Sequence, residues 1–141
     1  MLRYPITYTN FDGQEVTEDY YFNLTKAELV KLEANFAGGL AEKIKKGIAN
    51  NDKATIYDII EKFILSAYGV KSEDGKGFMK TNSQTGVKYA DLFKDTEAYS
   101  VLFMELIQKE AAAADFINKI IPSDLANKVQ DIINAEKPAV E

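Results

Sequence analysis

The sequence predicts an α+β domain dominated by helices: an N-terminal β-hairpin, then five to six α-helices around one long central helix. Three observations carry that prediction. Apolar and polar residues alternate over 2–22, the period of a strand. From 25 onward apolar residues recur at i, i+3, i+4, the period of a helix. Positions 97–121 then run for twenty-five residues without glycine or proline, stopped by Pro122.

The register of the hairpin follows from its faces. Tyr4, Ile6 and Tyr8 share one face of the first strand; Val16, Tyr20 and Phe22 share one face of the second. A two-residue Asp12-Gly13 turn would set those faces on opposite sides of the ribbon. A three-residue loop, Phe11-Asp12-Gly13 with Gly13 left-handed, pairs Tyr8 with Val16, Ile6 with Glu18 and Tyr4 with Tyr20. That is a type I turn with a G1 bulge, and it aligns the apolar faces. Pro5 has no N–H to give a ladder, which makes the first strand an edge.

Thr25 and Glu28 fit a capping box, with Leu24 able to staple onto Leu29. That helix buries Leu29, Leu32 and Phe36 and is expected to stop at Gly38-Gly39. A second helix runs through Leu40, Ile44 and Ile48, with Lys43, Lys45 and Lys46 as a solvated face. Asp52 caps a third, in which Ile56, Ile59, Ile60, Phe63, Ile64 and Ala67 point inward and which Gly69 closes. Positions 70–85 form the one long polar stretch, read as a mobile loop that holds Lys71, Asp74, Gly75, Lys76, Gly77 and Phe78. A short helix through Val87, Leu92 and Phe93 leads to Asp95-Thr96, the cap of the long helix. Ser123 caps a last helix with Leu125, Val129, Ile132 and Ile133 inward. The whole reads as one domain over 1–135, hairpin 2–22 and helical part 25–135, with a flexible tail at 136–141.

A straight helix over 97–121 would be roughly 37 Å long. With Glu97 at 0°, its main apolar stripe spans about 140° to 280° and holds Tyr99, Leu102, Phe103, Leu106, Ile107, Ala113, Ala114, Ile117, Ile120 and Ile121, with Phe116 at its edge. Val101 near ~40°, Met104 near ~340° and Ala111 near ~320° fall among the charges instead. Glu110, near ~220°, points into the stripe, where an unpaired carboxylate is costly. Either further helices wrap this side, or Val101, Met104 and Ala111 belong to a surface that receives an apolar helix. Methionine suits such a surface because its flexible side chain adapts to its partner.

Composition narrows the function. The 141 residues are 46% hydrophobic and 28% charged, as in an ordinary globular domain. A net charge of −5 repels nucleic acid and anionic membrane. Arg3 is the only arginine among seventeen basic residues, and forked guanidinium groups are what phosphate recognition favours. No run reaches the roughly eighteen apolar residues of a membrane span. The chain has neither cysteine nor histidine, so the usual zinc sites and the Ser/His and Cys/His nucleophile systems are excluded. No metal or cofactor is expected. The glycines at 69, 75 and 77 imitate a phosphate-binding loop and fail: five residues separate Gly69 from Gly75, and Gly77 stands where Ser or Thr would hold magnesium.

Tyr8-Thr9-Asn10-Phe11-Asp12-Gly13 and the run from Thr17-Glu18-Asp19-Tyr20 to Leu24-Thr25-Lys26-Ala27-Glu28-Leu29 resemble the opening of tail assembly chaperones from siphophages of Gram-positive bacteria. Ala67-Tyr68-Gly69, Asp74-Gly75-Lys76-Gly77-Phe78, Thr96-Glu97-Ala98-Tyr99-Ser100 and Ala114-Asp115-Phe116-Ile117-Asn118 are similar to later signatures of that family. The likeness rests on their order and spacing over about 4–122, since no single piece is specific. It implies a non-enzymatic protein of the host cytoplasm that coats the tape measure protein until tail tube subunits assemble around it. It also implies self-association into a homo-oligomer and absence from the mature virion. No catalytic residue is carried over. The alternatives are a structural tail completion or connector component retained in the virion, and a small acidic enzyme built on a carboxylate pair.

Overall fold

A computed structural model describes residues 1–35, 43, 46, 47 and 49–120. The stop at Gly38-Gly39, most of the helix through Leu40, Ile44 and Ile48, the last helix from Ser123 and the tail lie outside those residues. So do the side chains of Glu110, Ala111 and Ala114.

Strands β1 (Leu2–Thr9) and β2 (Glu15–Phe22) form the hairpin in the expected register, with Tyr8 opposite Val16 and Tyr4 opposite Tyr20. Gly13 sits at φ 81°, and its N–H donates to the Asn10 carbonyl at 3.0 Å. The Asn10 side chain accepts from the N–H groups of Asp12 and Gln14, which holds the turn rigid. Pro5 lies in the outermost strand, as its chemistry demands.

The hairpin does not sit alone on a helical body. It is half of a four-stranded antiparallel sheet of order β1-β2-β3-β4, so the expectation of a helix-dominated fold around one central helix is overturned. Strand β3 (Tyr68–Lys71) pairs with the end of β2, and β4 (Phe78–Met79) pairs with β3. These strands are four and two residues long, too short to leave a period in the sequence. Gly69 is therefore a strand residue and not a helix stop. A Cβ there would lie 2.7 Å from the Met79 carbonyl oxygen and 2.7 Å from the Phe78 ring, so the position closes tightly onto β4.

Helix α1 (Lys26–Ala34) starts on the expected capping box, with the Thr25 hydroxyl and the Glu28 carboxylate each accepting the other's backbone N–H. Asp52 caps α2 (Lys53–Ala67) through the Thr55 N–H, and α2 runs straight into β3. After β4 the chain forms α3 (Tyr89–Lys94) and α4 (Glu97–Gln108), the latter capped by Thr96.

The long helix is broken. Lys109 takes an extended conformation at φ −125° and ψ 106°, and α5 (Glu110–Ile120) starts afresh beyond it. The Lys109 carbonyl accepts from the N–H groups of Ala112 and Ala113, at 3.0 and 3.2 Å. An unbroken helix of ~37 Å would overrun the ~27 Å of an eight-residue strand. With the break, α5 packs back onto the core. Its Phe116 ring meets Phe22 at 5.1 Å and Tyr4 at 5.9 Å, and the Leu24 N–H donates to the Ile120 carbonyl at 3.1 Å.

The core lies between one face of the sheet and the helices. Ile6 and Phe22 of the sheet, Phe63 and Ile64 of α2, and Leu102 and Leu106 of α4 are buried together. Tyr68 stacks on Phe93 at 4.3 Å, and Phe22 touches both rings edge-on or tilted. Burying one such side chain is worth about 1.5–3 kcal/mol. The other sheet face is open: Arg3, Pro5, Thr7, Thr17 and Asp19 are all exposed.

Candidate functional site

Helix α4 has two unlike sides. Ala98, Leu102 and Leu106 are wholly or almost wholly buried. Val101 and Met104 on the opposite side are 36% and 44% exposed, so no described element wraps that face. The two residues are three apart and lie next to one another on the helix surface. Thr96 at the start and the buried side fix the direction in which they point. Ala111 does not join them by the argument that grouped it there. The continuous wheel ends at Lys109, and Ala111 belongs to α5. The same break removes the basis for placing Glu110 in the apolar stripe.

The polar stretch 70–85 is not an open loop. Lys71 is the last residue of β3 and Phe78 the first of β4. Between them the Ser72 N–H donates to the Gly77 carbonyl at 2.8 Å, and Gly75 turns the chain at φ 73°. The Lys76 N–H donates to the Asp74 carboxylate at 2.9 Å, and the Gly77 N–H to the Ser72 hydroxyl at 2.8 Å. The Ser72 hydroxyl and the Lys76 N–H hold the Asp74 carboxyl below its ordinary value. These donors are spent on the turn itself, so they are not a cradle for phosphate. A second turn follows, where the Asn82 N–H donates to the Val87 carbonyl at 2.9 Å.

A groove of about 540 Å³, which sequence reasoning did not foresee, opens between α1, α2 and α3. Each helix supplies one stripe: Glu28, Lys31 and Leu32 from α1 with Asn35 at its C-cap, Glu61, Lys62 and Leu65 from α2, and Ala90, Asp91 and Lys94 from α3. At its inner end Lys80 is half-buried. Its ammonium donates to the carbonyl oxygens of Asn23 and Ser66 and pairs with Glu28 at 3.1 Å. Burial pushes the Lys80 ammonium down, against the pull of Glu28. Burial pushes Glu28 up, but the Thr25 N–H and Lys80 outweigh it and leave that carboxyl below its ordinary value. Glu61 accepts from the Tyr99 hydroxyl at 3.0 Å and pairs with Lys94 at 3.6 Å.

Among the described residues no group of three or more acidic side chains is placed to hold a metal ion. The perturbed hydroxyls are all pushed away from reactivity. Burial, with the nearby Glu105 carboxylate, raises Tyr4 to about 12, and burial with Glu61 raises Tyr99. No described helix is long and apolar enough to cross a membrane.

A family model described as a phage tail assembly chaperone matches residues 1–141. No curated protein and no solved structure matches the chain.

Proposed function

We propose a function from one premise: the chain belongs to the phage tail assembly chaperone family. The protein covers the tape measure protein and helps to recruit tail tube subunits to it, without catalysis and without a cofactor. It does so as a homo-oligomer in the host cytoplasm and is left out of the mature virion. The observation that supports this reading is the exposed pair Val101 and Met104 on the outer side of α4. An apolar pair on a helix whose other side is locked in the core suits helix-on-helix docking, and methionine tolerates a changing partner sequence along a long polypeptide.

The test is the double variant Val101→Asp with Met104→Lys, read by co-purification with the tape measure protein and by light scattering. Both residues are exposed, so the variant is expected to stay folded and to lose at least one of the two associations. A folded double variant that keeps both would remove this face from the mechanism. Mass spectrometry of purified particles checks the last part of the reading, and finding the protein there at tail stoichiometry would favour a structural tail component.

A further inference from the structure

We infer that the groove between α1, α2 and α3 binds an acidic amphipathic segment of a partner protein. Among the described residues five lysines face it against three carboxylates, in a chain whose net charge is −5. The carboxylates Glu28 and Glu61 are engaged by Lys80, Lys94 and Tyr99, and Lys62 pairs with Asp58 at 3.2 Å, so the uncompensated charge of the groove is carried by Lys31 and Lys88. Lys31 and Lys88 stand exposed at the rim, and their ammonium groups form no ion pair or hydrogen bond with the described residues. Between the charges lies an apolar floor of Leu32, Leu65 and Ala90. The groove falls within the roughly 300–1,000 Å³ of ligand clefts, enough for one stripe of side chains and too small for a folded domain.

Charge and shape choose the occupant. Lysines on long flexible stems around an apolar floor match a helix that carries leucine-like residues on one stripe and carboxylates beside it. Nucleic acid fits less well. The single arginine, Arg3, is on β1 and pairs with Asp19. Among the described residues the one ring lining the groove, Tyr68, is already stacked on Phe93.

The experiment uses the full chain and a fluorescent helical peptide with leucine and glutamate at i, i+3, i+4 spacing, followed by anisotropy at low and high salt. Its counterpart with glutamine for every glutamate and a single-stranded oligonucleotide are the competing probes. The acidic peptide is expected to bind with strong salt dependence. Reversal of the rim by Lys31→Glu with Lys88→Glu should weaken it by about tenfold, while Lys53→Glu, away from the groove, should not. Lys31→Arg with Lys88→Arg should retain binding. Absence of binding, equal binding of the glutamine peptide, equal loss in the Lys53 variant, or preference for the oligonucleotide would each overturn the proposal. If the double reversal melts in circular dichroism, Lys31→Gln and Lys88→Gln taken singly carry the same comparison. Failure here leaves the Val101–Met104 surface on α4 untouched.

Discussion

The Lys80 ammonium donates to the carbonyl oxygen of Asn23 at 2.9 Å, across fifty-seven positions of sequence. It also reaches the Ser66 carbonyl in the last turn of α2, where carbonyls have no partner within their own helix. One side chain thus ties the start of α1, the end of α2 and the segment after β4. Lys80→Met keeps the stem and strands these acceptors. It is expected to cost roughly 1–3 kcal/mol, read from the midpoint of urea unfolding. An unchanged midpoint would falsify the tie.

Glu28 should make the fold acid-sensitive. Its carboxyl is held below the ordinary 4.5 in the folded state, so the stability it contributes is present above the unfolded value and lost as pH falls through the folded one. The melting temperature is expected to drop below about pH 4.5, and to drop less steeply in Glu28→Gln. Parallel curves for the two proteins would assign the loss to other carboxyls, such as Asp52 and Asp74, which are also held low.

Gly69→Ala should destabilise although alanine is small. The new methyl would sit 2.7 Å from the Met79 carbonyl oxygen and from the Phe78 ring, forcing β3 and β4 apart. A loss of about 1–3 kcal/mol is expected by thermal melting, the usual range for overpacking. A variant as stable as the parent would mean that β4 is free to shift.

Brief trypsin treatment should cut after Lys76 well before Lys80. Lys76 is exposed in the turn between β3 and β4, whereas Lys80 is held by three partners. Peptide mass mapping gives the order directly, and the reverse order would contradict the arrangement described for 72–80.

Local chemistry was legible in the sequence. The register around Gly13 and the caps at Thr25, Asp52 and Thr96 depend on residues within a few positions of one another. The exposed side of α4 was also legible, because Val101 and Met104 precede the break and the wheel holds that far. The break itself was not. Gln108-Lys109-Glu110 contains no helix breaker, and the contacts of Phe116 with Phe22 and Tyr4 that accompany the break lie far off in sequence. The groove was invisible for a related reason: its lysines are ordinary solvated residues on separate helices until the fold brings them to one rim.

The Asn10 N–H donates to the Gln14 carbonyl at 2.9 Å, so the even positions of β1 turn their backbone groups toward β2. Arg3, Pro5, Thr7 and Thr9 therefore aim theirs outward along the rim of the sheet, which pairs with no other described strand. Midway along that row proline contributes no hydrogen. A second copy laid against the rim would meet a missing rung at its centre. Crowded copies cannot fuse their sheets into a continuous ribbon without a gap there, and fibril growth from this side is discouraged by one imino acid.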